Sequence, residues 1–62
     1  MAQSKAKALG WYLKAARKGD ADAMHNVAYF YANGIAVRQN AAAADRWYAK
    51  AERANRKTTG PR

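Results

Sequence analysis

Apolar side chains recur along the chain with the spacing of amphipathic helices. The predicted helices cover about residues 3–18, 22–33 and 40–56. In the first of them, small and aromatic side chains recur at three- and four-residue steps, at Ala8, Trp11, Tyr12 and Ala15. Because this spacing places them on one face of a helix, the pattern predicts an all-α fold.

Residues that favour helix ends separate the three segments. Gly19 follows the first helix and Gly34 follows the second, and glycine adopts the left-handed backbone of a helix end without strain. Asp20 or Asp22 is predicted to cap the second helix and Asn40 the third. A short polar side chain at these positions accepts hydrogen bonds from the free amides of a first helical turn.

The first and third helices carry the same sequence pattern. Ala8-x-x-Trp11-Tyr12-x-Lys14-Ala15-x-Arg17 recurs as Ala44-x-x-Trp47-Tyr48-x-Lys50-Ala51-x-Arg53, 36 residues later. Self-similarity at a period of about 20 to 50 residues is typical of a solenoid, in which each unit buries its apolar face against its neighbours. The repeat therefore predicts a short α/α solenoid of three helices.

The repeated tryptophan–tyrosine pairs are predicted to lie in the core. They recur at the structural period beside small residues, as expected for helices that pack on one another. The alternative is that the rings are stacking platforms for nucleic-acid bases. The core interpretation predicts that Trp47→Ala costs on the order of 3 kcal/mol and unfolds a domain of this size.

A family resemblance follows from the spaced residues between Gly19 and Ala51. The pattern is Gly19-Asp20-x-x-Ala23-Met24-x-Asn26-Val27-Ala28-x-x-Tyr31-x-Asn33-Gly34-x-x-Val37-x-Gln39-Asn40-x-x-x-Ala44-x-x-Trp47-Tyr48-x-Lys50-Ala51. It resembles the Sel1-like repeat, a relative of the tetratricopeptide repeat, with one unit over residues 19–54 and the end of a preceding unit over residues 8–18. The resemblance implies an α/α solenoid that serves as an adaptor or scaffold in complexes, usually without catalysis.

The chain departs from the family pattern in the connector after the second helix. The family usually has Gly-x-Gly-Val there, whereas this chain has Gly34-Ile35-Ala36-Val37. We therefore expect the turn to be reshaped at Ala36. About one and a half units are also fewer than the roughly three that repeat arrays need, so we expect another copy or a larger complex to cover the open end.

Positive charge is concentrated in the first and third helices. The net charge is +8, and residues 1–18 carry five cations and no acid, whereas residues 19–40 are nearly neutral. Four cations of the third helix fall on one face, namely Arg46, Lys50, Arg53 and Lys57. Lys14 and Arg17 occupy matching positions in the first helix. These six residues are predicted to form a basic outer ridge that docks an acidic protein or nucleic-acid phosphates, or that serves only solubility.

The second helix offers another candidate surface. Tyr29, Phe30 and Tyr31 cannot all face inward on a helix that advances about 100° per residue. The repeat pattern needs Tyr31 for the core, so we expect Tyr29 to face solvent, as a hot spot for a partner or as an isolated apolar residue. The exposed line predicted for the concave face of the solenoid is Asp22, His25, Tyr29 and Asn33.

The composition argues against catalysis, a cofactor and a metal site. Cysteine is absent, His25 is the only histidine, and the four carboxylates form no acid/base couple. No apolar stretch approaches the roughly 20 residues that cross a bilayer. No apolar segment of a secretory signal follows the basic amino terminus, so a cytoplasmic location is expected.

These observations predict a non-catalytic protein–protein interaction adaptor, or a small subunit of a larger complex, that binds through the second helix and the basic outer ridge. The alternative is an accessory nucleic-acid-binding or ribonucleoprotein subunit that uses the ridge on phosphates. The domain is expected to cover residues 1–56. Residues 57–62 lack helical periodicity and contain Gly60-Pro61, so we expect a disordered basic tail there.

Overall fold

The computed structural model describes the backbone of residues 4–58 and the side chains of residues 4–55. The helices are α1 (Lys5–Arg17), α2 (Ala21–Asn33) and α3 (Ala41–Thr58). The predicted all-α fold is confirmed, and each helix end lies within two residues of its predicted position. Helix α3 continues through Lys57 and Thr58, which the sequence analysis placed in the tail. The rest of the predicted tail lies outside the described residues, so the division into domain and tail stays a prediction.

Side-chain caps close the amino ends of the helices. The Asp20 carboxylate accepts hydrogen bonds from the backbone N–H groups of Asp22 and Ala23, at 3.0 and 3.3 Å. This contact decides between the two predicted caps in favour of Asp20. The Asn40 side chain accepts from a first-turn N–H of α3 at 3.0 Å, as predicted, and Ser4 caps α1 in the same way. Each cap satisfies amides that have no partner inside the helix.

Left-handed glycines end α1 and α2, as the sequence predicts. Gly19 has φ +97° and Gly34 has φ +65°. The Asp20 N–H donates back to the Ala15 carbonyl at 3.2 Å, which closes the end of α1 as in a Schellman motif. At Gly34 an added Cβ would lie 3.2 Å from the Cβ of Gln39. Both the backbone angle and the close packing therefore require glycine at this position.

The connector between α2 and α3 holds Ala36 in the left-handed conformation, with φ +65°. Alanine adopts here a backbone conformation that glycine favours, and the expected reshaping of the turn stays a prediction. Several hydrogen bonds tie the connector to the end of α2. The Asn40 N–H donates to the Tyr31 carbonyl at 2.9 Å, and the Gln39 side-chain amide donates to the Ala32 carbonyl at 2.9 Å.

The core lies between α2 and its two neighbours, because α2 packs against both α1 and α3. Its buried members are Leu9, Ala16, Ala23, Met24, Val27 and Ala51. Val27, at the middle of α2, has no exposed surface. Small side chains dominate the cluster, so the helices approach closely, and α2 is the element shared by the two helix pairs.

The prediction that both members of each tryptophan–tyrosine pair lie in the core is wrong. Tyr12 and Trp47 are partly buried against the core, but Trp11 is 66% exposed and Tyr48 is 39% exposed. Adjacent residues lie about 100° apart around a helix, so one neighbouring helix covers only one of them. Helix α1 turns its tyrosine toward α2, where the ring meets Phe30 edge to face at 5.8 Å. Helix α3 turns its tryptophan toward α2 instead.

Candidate functional site

The predicted line on α2 lies at the surface. Its members, Asp22, His25, Tyr29 and Asn33, are all exposed. Tyr29 is 53% exposed, whereas Phe30 and Tyr31 pack against the core, which confirms the predicted orientation of the three aromatic residues. The Asn33 side-chain amide donates to the Tyr29 carbonyl at 3.0 Å, so it also stabilises the end of α2. The role of these residues in binding stays a prediction.

A ring contact extends this surface onto α3. The His25 ring meets the Tyr48 ring edge to face, with 5.6 Å between centroids and 71° between planes. Sequence reasoning missed Tyr48 as a surface residue, because the repeat pattern assigned it to the core. The four predicted residues and Tyr48 form one polar and aromatic surface, named here the α2 surface. Exposed tyrosines suit a protein interface, because each combines an apolar ring with a polar tip.

Three of the predicted cations surround one groove. Arg17 of α1 lines it together with Lys50 and Arg53 of α3. Met24 of α2 and Trp47 of α3 supply apolar lining, and the volume of the groove is about 840 Å³. These five residues define the basic groove. Sequence reasoning did not assign Met24 or Trp47 to a binding site.

The internal repeat explains why cations of two helices reach one groove. Arg17 and Arg53 occupy equivalent positions, 36 residues apart, and each lies in the last turns of its helix. The groove forms where these turns of α1 and α3 meet the beginning of α2, at Met24. Cations near the carboxyl end of a helix interact favourably with the helix dipole, so the positions suit the local structure as well as a ligand.

A lysine lies over the tryptophan of each repeated helix. The Lys50 Nζ atom is 4.9 Å from the centroid of the Trp47 ring, and the Lys14 Nζ atom is 5.0 Å from that of Trp11. Such a contact stabilises an exposed site by roughly 0.5–1 kcal/mol. Residues three apart are neighbours on a helix, so the spacing itself could have indicated both contacts. In α3 the contact holds the ammonium group beside the basic groove.

The remaining cations of the predicted ridge lie elsewhere. Lys14 lines a separate cavity of about 340 Å³ beside Trp11, together with Lys7 and Gly10. Arg46 is exposed on α3 and does not line the basic groove. The side chain of Lys57 lies outside the described side chains. The predicted ridge is thus divided between the basic groove and separate surface positions.

The basic groove combines positive charge with an apolar lining. Guanidinium and ammonium groups donate hydrogen bonds to carboxylates or phosphates, and tryptophan and methionine accommodate apolar side chains. Among the described residues, no group of three or more histidine, cysteine, aspartate or glutamate side chains could hold a metal ion. No helix in the same part of the chain is long and apolar enough to cross a membrane. The arrangement suits a ligand with both acidic and apolar groups.

Comparison with known proteins identifies the repeat. A search among curated proteins and a search among solved structures each gave no match. The sequence model of the Sel1 repeat matches residues 1–20 and residues 21–55, in agreement with the resemblance found in the sequence. Sel1 repeats are non-catalytic helical repeats that generally mediate protein–protein interactions. The chain therefore belongs to the Sel1 repeat family.

Proposed function

We propose that the chain is a non-catalytic adaptor, or a small subunit of a larger complex, that binds an acidic segment of a protein partner in the basic groove. The observation that carries this proposal is the meeting of Arg17, Lys50 and Arg53 around Trp47 in a groove of about 840 Å³. Like charges that converge on one groove repel each other, and an anionic ligand between them removes that repulsion. An acidic partner would therefore gain electrostatic energy that a neutral one would not.

The apolar lining supports a protein segment as the ligand. A buried apolar or aromatic anchor supplies most of the affinity at protein interfaces, while surrounding charges set register and the rate of association. Trp47 and Met24 offer such an anchor position inside a ring of cations. A segment with an acidic residue next to an apolar one would use both parts of the groove.

The α2 surface is proposed as a second contact with the same partner. Tyr29 is its most exposed large apolar residue, and the paired rings of His25 and Tyr48 extend it toward α3. Tyrosine is enriched among residues that dominate binding energy. We expect Tyr29→Ala to weaken partner binding without unfolding the chain, because its ring does not pack in the core.

The test is capture of partners by the full chain from native lysate, with and without nuclease. The informative variant is Arg17→Ala combined with Arg53→Ala, which removes two cations from the basic groove. The matched control is Arg38→Ala combined with Arg46→Ala, because these two arginines are exposed elsewhere. Both double variants lower the net charge equally, so they separate the groove from the overall charge.

The proposal expects a defined protein to be captured regardless of nuclease, to be lost with the groove variant and to be retained with the control. Purified partner and variants then give affinities by calorimetry. An equal loss of affinity with both double variants would show that the overall charge, not the groove, binds the partner. Retention of the partner by the groove variant would contradict the assigned site directly.

A nucleic-acid subunit is the second candidate, supported by the net charge of +8 and by five cations without an acid in residues 1–18. Neutralising about six phosphates lowers affinity by about three decades between roughly 50 and 200 mM salt. A protein contact centred on Tyr29 is far less sensitive to salt, and an acidic protein segment pairs with at most the three cations of the groove. Loss of all captured material on nuclease treatment, together with the steep salt dependence, would support this candidate and exclude the adaptor.

A further inference from the structure

The same apolar stripe is buried on α3 but leaves its tryptophan exposed on α1, where Ala8 is half-buried and Ala15 packs partly against the core. On α3 it consists of Ala44, Trp47 and Ala51, and on α1 of Ala8, Trp11 and Ala15, 36 residues earlier. Under α2, Ala44 is 2% exposed, Ala51 is fully buried, and Trp47 packs against the core. On α1, Trp11 is 66% exposed. The stripe is identical in sequence, so the difference comes only from the helix that covers it.

The exposed tryptophan of the α1 stripe borders an open cavity. Its volume is about 340 Å³, and Trp11 lies in its lining with Lys7, Gly10 and Lys14. A Cβ atom added at Gly10 would meet nothing within 4 Å, so the surface beside the indole ring is bare. We name these residues, with Ala8 and Ala15, the Trp11 face. An exposed tryptophan among small residues and lysine stems provides the apolar area of a docking surface.

Helix α2 shows which kind of helix fits this stripe. It covers the α3 copy with a row of small and flexible apolar residues, among them Met24 and Val27, both buried. It is capped by Asp20, has Asp22 in its first turn, and carries no lysine or arginine between Ala21 and Asn33. A helix that docks on the Trp11 face by the same packing needs the same features.

The charge of α1 requires an acidic occupant. Helix α1 carries Lys5, Lys7, Lys14 and Arg17 and no acidic residue, and Lys18 caps its end. A second copy of the chain would bring its own cationic α1 to the contact, and its α2 is already buried between α1 and α3. Repulsion between two such helices disfavours a symmetric dimer. A helix with acidic residues and no cations is attracted instead.

We infer that the Trp11 face docks an amphipathic helix of another protein, acidic, free of lysine and arginine, and with an α2-like stripe of alanine, valine and methionine. The inference rests on the proposed function in one respect, namely that the partner is a protein. The Trp11 face is separate from the basic groove. Docked in this way, the partner helix completes the unit to which α1 belongs. Trp11 then becomes buried, as Trp47 is partly buried beneath α2.

The experiment uses the full chain and a synthetic peptide with the sequence of residues 20–34, which contains no tryptophan. Tyr29→Glu and Asn33→Lys in the peptide, joined by a side-chain amide, make it helical before it binds and lower the entropic cost of docking. The two indole N–H resonances of the chain are followed by NMR as the peptide is added. We expect the Trp11 resonance to shift saturably and the Trp47 resonance to stay in place.

Substitutions in both molecules test the details. Trp11→Ala in the chain is expected to weaken binding by roughly 10-fold or more, read from the α1 backbone amides. Arg38→Ala is the control, because it removes a large exposed side chain of the connector between α2 and α3, and it should change the affinity less than about 2-fold. Asp22→Lys in the peptide should weaken binding several-fold, because it replaces a charge that is attracted to the cationic α1 by one that is repelled.

Four results would overturn the inference. The first is the lack of a saturable shift at millimolar concentrations of a peptide that circular dichroism shows to be helical. The second is a shift of Trp47 rather than Trp11, which means that the peptide replaces α2 on α3. The third is self-association of the chain alone that Trp11→Ala abolishes, which assigns the face to a second copy. Loss of the captured partner with the groove variant, but not with Trp11→Ala, would contradict this inference and leave the proposed function intact.

Discussion

Replacing Ala36 by glycine is expected to stabilise the protein. Ala36 has φ +65°, and this left-handed backbone costs an L residue roughly 1–2 kcal/mol, which glycine avoids. Its methyl group is exposed, so little packing is lost. Glycine also adds freedom to the unfolded chain, which offsets roughly 0.4–1 kcal/mol of the gain. The net increase in unfolding free energy is about 0.5–1 kcal/mol, or about 2–8 °C in Tm for a domain of this size.

Thermal and urea unfolding, followed by the helical circular dichroism signal, measure this change. The matched control is Ala49→Gly, because Ala49 is exposed inside α3. There glycine should lower the unfolding free energy by about 1 kcal/mol. Opposite signs for the two alanine-to-glycine substitutions are the expected result. A lower Tm for Ala36→Gly would refute the strain assigned to the connector.

Five further substitutions are tested by the same unfolding measurements. Gly34→Ala should lower the unfolding free energy by roughly 1–2 kcal/mol, because φ is +65° and the new Cβ would crowd Gln39. An unchanged unfolding midpoint would contradict this. Trp47→Ala should lower the unfolding free energy by on the order of 3 kcal/mol and Trp11→Ala by less than about 1 kcal/mol, because only Trp47 packs against the core. Equal losses would disprove the assigned faces. Asp20→Ala should lower the unfolding free energy by about 1 kcal/mol, whereas Asp20→Asn should keep the cap and most of the stability. Similar losses of stability with both substitutions would argue against the cap.

Local signals in the sequence predict the helix ends correctly. Gly19 and Gly34 end α1 and α2 because glycine adopts the backbone angles observed there. Asp20 and Asn40 cap α2 and α3 through their own side chains. All these contacts join residues a few positions apart along the chain. They depend on local backbone chemistry, so they could be predicted without knowledge of how the helices pack.

The buried faces of α1 and α3 depend on tertiary packing and could not be predicted from the repeat. Trp11 and Trp47 are equivalent in the sequence, yet only Trp47 packs against the core. For the tyrosines the opposite holds: Tyr12 packs against the core, whereas Tyr48 is exposed. Helix α2 approaches α1 from the side of its tyrosine and α3 from the side of its tryptophan. A repeat pattern identifies the positions of a helix that can pack against another helix. Which of these residues is buried depends on the side from which the neighbouring helix approaches.

The candidate site shows the same limit. The cations of the two outer helices were predicted from the spacing in the sequence, including Arg17, Lys50 and Arg53. Their meeting around Trp47 depends on how the ends of α1 and α3 approach the start of α2. The same arrangement leaves Lys14 on another cavity, although it is the repeat equivalent of Lys50. The positions of the cations along the chain could therefore be predicted from the sequence. The meeting of three of them in one groove could not.

The two outer faces of the array differ, and this difference determines how the protein can associate. Leu9 and Ala16 of α1 are buried against the core, at 6% and 2% exposed. Their repeat equivalents on α3 are Asp45 and Glu52, both exposed. A helix packed on α3 as α2 packs on α1 would bury two carboxylates, which is unfavourable. Head-to-tail growth by this packing needs an apolar face at both ends of the array, and the carboxylates at these two positions disfavour such packing on α3.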